Sequence, residues 1–202
     1  MTLKVAKELG RELEARGFRV AYTRRDDRTL SLEERTAIAE SAEGDLFVSL
    51  HANAARRRST KGIETYYLDE NHERHSLTVA ARENGVEREA VNALQKTLAK
   101  LRVSEVSPQS RRLAEGIQRQ IVTGMPKPFQ PVEDLGAKRG PFYVLFLSTM
   151  PAVLVEAGFL TNRQEAKRLR DRAYLDALAD QIALALDGYR SDHATVALGR
   201  TP

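Results

Sequence analysis

The sequence predicts an α/β protein built as a three-layer sandwich, with a mixed, twisted sheet between two layers of helices. Two observations lead to this prediction. Segments with strand and helix patterns alternate along most of the 202 residues. Several of the strand segments are apolar on both faces, which is typical of a sheet that is covered on both sides.

The first fifty residues show the alternation. Residues 3–16 carry apolar side chains at helical spacing, which predicts an amphipathic helix. Residues 18–22 then alternate between apolar and polar, a strand pattern. Ser31 and Glu34 have the spacing of a capping box, which predicts a second helix that reaches about residue 42.

Four later runs of apolar and β-branched residues predict strands. They are residues 45–51, 63–68, 142–147 and 152–156. No run approaches the ~18 apolar residues of a membrane-spanning helix, and the first nine residues lack the apolar block of a signal peptide.

The remaining segments predict helices. Residues 70–124 are polar with helical spacing, and Ser107-Pro108 is a good N-cap and first-turn pair for a second helix inside this stretch. Asn162 with Glu165 predicts a short helix, and the last helix is expected over residues 174–189. Residues 190–202 are interpreted as a disordered tail.

Composition limits the chemistry. There is no cysteine, so a metal site has to use His, Asp or Glu. The net charge of +4 is first interpreted as general solubility, and the alternative is attraction to an anionic polymer. The densest basic run, Arg56–Arg58, has no interleaved aromatic residue, so it is typical of a solvated loop and not of a nucleic-acid platform.

Two chemically competent residues end buried strands. His51 follows the apolar run 46–50, and Glu156 follows 152–155. Sites in open α/β sheets gather at the carboxyl ends of strands, where an imidazole can bind zinc and a carboxylate can move a proton. The alternative for His51 is a hydrogen-bonding core residue. Glu156 is harder to dismiss, because a buried charge without a partner is costly.

Successive motifs resemble those of the zinc-dependent N-acetylmuramoyl-L-alanine amidases, the type 3 or cell-division amidase family. The motifs occur in the family's order and cover nearly the whole chain up to about Tyr189. They are Tyr22-Thr-Arg24 with Asp27, Ser31-Leu32 and Arg35, then Ser49-Leu-His-Ala-Asn-Ala54, Gly62-Ile-Glu-Thr-Tyr-Tyr-Leu68, Asp134-Leu-Gly-Ala-Lys138 and Pro151-Ala-Val-Leu-Val-Glu-Ala-Gly-Phe-Leu-Thr-Asn162.

The resemblance implies a cell-wall hydrolase that cleaves the amide between N-acetylmuramic acid and L-alanine in peptidoglycan. In the family, two histidines and one glutamate hold Zn²⁺, which activates water. His51 falls on one of the zinc histidines, and Glu156 falls on the glutamate that serves as general base and acid. The family implies a periplasmic or extracellular location, in wall remodelling or the separation of daughter cells. Neither a nucleic-acid partner nor a membrane span is expected.

The sequence departs from the family at its beginning. The family opens with a strand and an Asp-Pro-Gly-His-Gly-Gly turn, which brings the first zinc histidine, and a glutamate ligand follows. Neither motif is present in these 202 residues. Residues 1–189 are therefore expected to form an amidase domain that lacks the first strand, and to bind zinc poorly. The alternative is an inactive, peptidoglycan-binding relic without bound zinc.

Residues 70–106 form an insertion relative to a minimal amidase domain. The segment resembles the helix that covers the active site of cell-division amidases until an activator protein displaces it. In this interpretation an acidic residue of the insertion, Glu70 or Glu83, occupies the zinc site. The alternative is a helical elaboration that only packs on the surface.

Overall fold

A computed structural model describes residues 1–69, 74–87 and 103–198 of the chain. Four strands and seven α-helices lie within these ranges. In chain order they are α1 (Thr2–Ala15), α2 (Leu32–Ser41), β1 (Phe47–Asn53), β2 (Ile63–Tyr67), α3 (Arg74–Asn84), α4 (Val103–Gly124), β3 (Asp134–Arg139), α5 (Tyr143–Phe146), β4 (Ala152–Phe159), α6 (Arg163–Arg168) and α7 (Arg172–Leu198). A short 3₁₀ turn, Lys127–Phe129, precedes β3.

The four strands form one mixed sheet in the order β1-β4-β2-β3. β1 runs parallel to β4, β2 runs antiparallel to β4, and β3 runs parallel to β2. The carboxyl ends of β1 and β4 therefore meet the amino ends of β2 and β3 at one edge of the sheet. Side chains from three neighbouring strands can meet at this edge.

Both faces of the sheet are covered, which confirms the predicted three-layer sandwich. Val153 and Val155 of β4 face a core formed with α1, α4 and α7. Ala152 and Leu154 face a second core formed with α2, α3 and α5. All eight residues of β4 are buried, because side chains alternate between two covered faces.

The two capped helices form as predicted. Ser31 accepts the backbone N–H of Glu34, and the Glu34 carboxylate accepts the N–H of Ser31, so the capping box at the start of α2 is complete. Asn162 caps α6 by accepting the N–H groups of Gln164 and Glu165. The carboxylate of Glu165 accepts the backbone N–H groups of Gly62 and Phe159.

Two predicted strands are wrong. Residues 18–22 are irregular, and their backbone joins none of the ladders of the described sheet. Their apolar side chains, Phe18 and Val20, still pack against the first core, which explains the alternating pattern. Residues 142–147 form the short helix α5, because a brief buried apolar run has no period that separates helix from strand.

Two boundaries also differ from the prediction. Ser107 does not begin a helix: α4 is already helical from Val103, and Pro108 lies inside it. The Ser107 hydroxyl donates to the carbonyl of Leu68 at 2.9 Å. At the other end, α7 continues to Leu198, past the expected boundary at residue 189. Arg190 stacks on Phe18 at 4.0 Å and donates to the carbonyl of Arg16, which attaches this part of the helix to the domain. None of the described helices is long and apolar enough to cross a membrane.

Candidate active site

His51 and Glu156 lie side by side in the sheet. They are register partners at the carboxyl ends of the parallel strands β1 and β4. On the other side of β4, Glu64 is the register partner of Glu156. The three side chains lie on the face of the sheet that α3 and α5 cover. Phe47, Leu154 and Tyr66 lie on this face, and every second residue along a strand has its side chain on the same face.

Glu156 is a buried carboxylate without a hydrogen-bond partner. Its exposed fraction is 0%, and neither carboxylate oxygen is hydrogen-bonded within the described residues. Burial raises the pKa of Glu156 to about 8, the negative charges of Glu83 and Glu64 add to the rise, and Arg82 opposes it. A carboxyl group with a pKa near neutrality can both accept and return a proton.

His51 is half-buried and held on both ring nitrogens. Its Nε2 lies 3.0 Å from the hydroxyl of Ser49. Its Nδ1 lies 2.7 Å from a carboxylate oxygen of Glu83 on α3. These two contacts fix the orientation of the ring at the sheet edge.

Glu83 reaches the sheet from the last turn of α3. Arg82 donates to its other carboxylate oxygen at 2.9 Å. Burial works to raise the pKa of Glu83, but the hydrogen bonds and electrostatic interactions with His51 and Arg82 outweigh it and leave the pKa lowered. Glu83 is therefore a carboxylate in this site. It lies next to the carboxyl group of Glu156, whose neutral form is favoured by burial.

Arg82 links the inserted helix to the end of β1. Its guanidinium donates to the carbonyl of Ala54 at 2.6 Å and to the side-chain oxygen of Asn53 at 3.0 Å. It also lies 3.6 Å from a carboxylate oxygen of Glu156. α3 thus brings a negative and a positive side chain into the site on consecutive residues.

A buried ion pair supports the site from β2 and β3. Glu64 has an exposed fraction of 0%. Lys138 donates to one of its oxygens at 2.7 Å, and Asn53 donates to the other at 2.6 Å. Asn53 is therefore shared between Glu64 and Arg82, so the positions of the ion pair and of the inserted helix are coupled through one amide.

Three of these side chains have the composition of a zinc site. His51, Glu83 and Glu156 each offer one ligand atom, and the three atoms lie within 4.8 Å of one another. Zinc in hydrolases is held by nitrogen and oxygen donors of these residue types. The two unpaired oxygens of Glu156 are a second sign that the cluster fits a cation.

The structure brings together three of the four residues that the sequence singled out, namely His51, Glu156 and Glu83. Glu70 lies outside the described residues. Sequence reasoning missed Arg82, and it did not single out Glu64. The signal for Glu64 was available, because an acidic residue inside the apolar strand Ile63–Tyr67 has to be buried and paired. Arg82 carried no such signal, since helical arginines are mostly solvated.

The fold is that of a cell-wall amidase. The family model for N-acetylmuramoyl-L-alanine amidase matches residues 1–188. The chain belongs to this N-acetylmuramoyl-L-alanine amidase family, whose members hydrolyse peptidoglycan amide bonds. The family recognised in the sequence motifs is thereby confirmed.

Individual relatives agree with the family assignment. The chain is 33% identical to the amidase LytC of Bacillus subtilis over 182 residues, which are 90% of this chain and 29% of LytC. It is 32% identical to the uncharacterized protein YqiI of the same organism over 189 residues, 94% of this chain and 72% of YqiI. The chain thus spans most of YqiI but under a third of LytC.

Solved structures share the fold. The amidase of Clostridium difficile 630 superposes with a TM-score of 0.70 at 28% identity, covering 94% of this chain and 81% of that one. The amidase AmiC2 of Nostoc punctiforme gives a TM-score of 0.66 at 26% identity, with coverage of 94% and 82%. The CwlD amidase of Clostridioides difficile, solved in complex with the GerS lipoprotein, has the same fold, with a TM-score of 0.68, 23% identity and coverage of 94% and 84%.

Proposed function

We propose that this protein hydrolyses the amide bond between N-acetylmuramic acid and L-alanine in peptidoglycan, with zinc as cofactor. Its place of action is the periplasm or the cell exterior, and its role is wall remodelling or the separation of daughter cells. The observation that carries the proposal is the register pair of His51 and Glu156, in which an imidazole stands beside a buried carboxyl group that accepts no hydrogen bond within the described residues.

Glu156 acts as general base and then as general acid. Its carboxylate accepts a proton from the attacking water as the oxygen adds to the amide carbonyl. The same carboxyl group returns the proton to the departing nitrogen of L-alanine when the carbon–nitrogen bond breaks. Burial of Glu156, which raises its pKa, favours the protonated form that makes the second transfer.

His51 acts as a metal ligand. Ser49 orients its ring from one side, as partners of ligand histidines commonly do. A bound zinc ion supplies a Lewis acid that polarises the scissile carbonyl and makes water more acidic. The nitrogen and oxygen donors of His51, Glu83 and Glu156 are compatible with this cofactor.

Glu83 acts as an autoinhibitory residue of the inserted segment. Its contact with His51 at 2.7 Å supports this role, because a carboxylate there occupies space that the substrate carbonyl needs. An activator protein would displace α3 by competing for these contacts. The role of Glu70 stays a prediction, since it falls outside the described residues.

The test is hydrolysis of purified sacculi by the zinc-supplemented chain, followed by mass spectrometry of newly exposed N-terminal L-alanine. We expect slow release by the wild type, faster release per bound zinc by Glu83→Ala and none by Glu156→Gln. The proposal fails if no zinc-supplemented variant exposes N-terminal L-alanine, or if Glu156→Gln releases as much as the wild type.

A second candidate function is binding of peptidoglycan without hydrolysis. It is supported by the way that Glu83 and Arg82 already engage His51, Glu156 and the end of β1 within this chain. Under this alternative, Glu83→Ala leaves the sacculi intact while the protein still pellets with them.

A further inference from the structure

The loop between β1 and β2 is strongly cationic. Residues 54–62 contain three consecutive arginines and one lysine, and no acidic residue. Arg56, Arg57 and Arg58 are all exposed, and none forms an ion pair with any residue in the described ranges. Lys61 pairs loosely with Glu133 at 3.7 Å. Within the described ranges, the three guanidinium groups are therefore available to an external anion.

The backbone of this loop is held by hydrogen bonds to residues 161–165. Ala55 donates its N–H to the hydroxyl of Thr161 at 3.0 Å, and the amide of Asn162 donates to the carbonyl of Arg58 at 3.1 Å. Gly62 donates its N–H to Glu165 at 2.8 Å. These bonds hold the loop against the turn after β4, so less conformational entropy is lost when its side chains bind a ligand.

Glu165, an acidic residue that contacts this loop, is engaged with backbone N–H groups. Glu165 is buried, and its two oxygens accept the N–H groups of Gly62 and Phe159. It therefore does not neutralise the arginines at the surface. Arg163, next to the Asn162 that holds the loop, is exposed and forms no ion pair in the described part of the chain, so it extends the cationic surface onto α6.

One apolar side chain stands within this surface. Leu160 has an exposed fraction of 51%. Its N–H donates to the carbonyl of Asn53 at 2.8 Å, which places it beside the start of the loop. We call the set Arg56, Arg57, Arg58, Leu160 and Arg163 the rim patch. Its loop begins at Ala54, three residues after His51, so it borders the carboxyl ends of β1 and β4.

We propose that the rim patch binds the carboxylates of the peptidoglycan stem peptide while the scissile amide lies at His51 and Glu156. This inference rests on the proposed function. Guanidinium groups pair with carboxylates through two parallel hydrogen bonds, and the stem peptide carries several free carboxylates together with alanine methyl groups that fit Leu160. Segments 54–62 and 160–163 have no aromatic residue, so they offer no stacking surface for nucleic-acid bases.

The test measures binding to purified sacculi in chelator, so that hydrolysis does not intervene. Two substrates are compared, intact sacculi and sacculi whose carboxylates have been converted to methylamides. The triple variant Arg56→Ala, Arg57→Ala, Arg58→Ala is compared with Lys4→Ala, Lys7→Ala, Lys127→Ala. The control removes the same charge from exposed positions, two on α1 and one in the 3₁₀ turn.

We expect the arginine variant to bind intact sacculi about tenfold more weakly than the control, as the sum of three exposed ion pairs. The affinity of the wild type should fall by a similar factor when methylamidated sacculi replace intact sacculi. The affinity of the arginine variant should be almost the same for the two substrates. Replacing the three arginines with lysine should recover only part of the affinity, because lysine lacks the planar fork. This recovery also shows that loss in the alanine variant does not come from misfolding.

Equal binding to intact and methylamidated sacculi overturns the inference, and so does equal weakening by the two triple variants. The inference is also overturned if the arginine variant binds DNA or anionic vesicles more weakly than the control but binds sacculi equally well. The proposed function has a separate readout, release of N-terminal L-alanine. If hydrolysis proceeds and carboxylate-dependent binding is absent, only the inferred role of the rim patch is wrong. If that binding is present without hydrolysis, the proposed function is wrong and the patch stands.

Discussion

The carboxylate of Glu83 lies 2.7 Å from Nδ1 of His51 and joins the inserted helix α3 to the sheet edge. Two neighbouring residues reinforce this contact. Arg82 donates to the carbonyl of Ala54, and Asn84 accepts the N–H of Tyr143 while donating to the carbonyl of Pro141. The last turn of α3 is thus fastened on two sides of the site, and its release requires several polar contacts to break together.

Replacing Glu83 with glutamine should loosen α3. The variant loses the negative charge that contacts Nδ1 of His51 and the guanidinium of Arg82, while the size of the side chain is unchanged. Charge-assisted hydrogen bonds contribute roughly 1.5 kcal/mol or more, so we expect about tenfold faster amide exchange over residues 74–87. Hydrogen–deuterium exchange with mass spectrometry measures this directly.

The matched control for this prediction is Glu87→Gln, which removes the same charge from an exposed position three residues beyond the helix. Its exchange over residues 74–87 should equal that of the wild type. If Glu83→Gln also exchanges like the wild type, the Glu83–His51 contact does not hold the helix in place.

Zinc binding should be weak and should depend on Glu83. If Glu156 serves as the base, His51 and Glu83 are the two remaining ligands of the described cluster, whereas catalytic zinc sites use three protein ligands. We expect less than one zinc per chain after gel filtration, and less still for His51→Ala and Glu83→Gln. Metal analysis by mass spectrometry measures the stoichiometry, with Glu133→Gln as an exposed control. One zinc per chain that persists in Glu83→Gln would contradict this prediction.

Several elements of the site could be predicted because their signals are local. A histidine and a glutamate that each follow an apolar run are recognisable in the sequence, and parallel strands bring such ends to one edge of a sheet. Ser31 with Glu34 and the cap at Asn162 are local in the same sense. Each of these features depends on a few consecutive residues, so tertiary context cannot easily override it.

The errors came from features that depend on distant partners. Residues 18–22 have a strand pattern but no neighbouring strand in the described sheet, and a strand exists only as part of a ladder. Residues 142–147 are apolar because two helices and β4 surround them, and this burial does not select between helix and strand. The pairing of Glu64 with Lys138 depends on strand order, which no local pattern specifies.

The stability of the metal-free protein should fall as the pH rises, through Glu156. Its pKa is raised from 4.5 to about 8 in the folded state, so the folded protein keeps this proton over a range in which the unfolded chain has lost it. The contribution is fully present below about pH 4.5 and is lost as the pH rises to about 8, on the order of 5 kcal/mol in total. Glu156→Gln has no proton to lose at this position.

The measurement is urea unfolding in chelator at several pH values between about 5 and 9, where most other carboxylates are already ionised. The variant should become more stable relative to the wild type up to about pH 8, and the difference should then level off. A difference that is independent of pH would show that Glu156 is ionised throughout in the folded protein.

The buried pair of Glu64 and Lys138 should show strong energetic coupling. Lys138→Met leaves a buried carboxylate without its cation, which typically costs about 3 kcal/mol or more. The double variant Glu64→Gln, Lys138→Met removes both charges and should be clearly less destabilised than the sum of the two single variants. The exposed pair Lys61–Glu133, 3.7 Å apart, is a control whose coupling should stay below about 0.5 kcal/mol. Urea unfolding of both double-mutant cycles gives the two coupling energies. If the two coupling energies are equal, Lys138 does not compensate the buried charge of Glu64 next to Glu156.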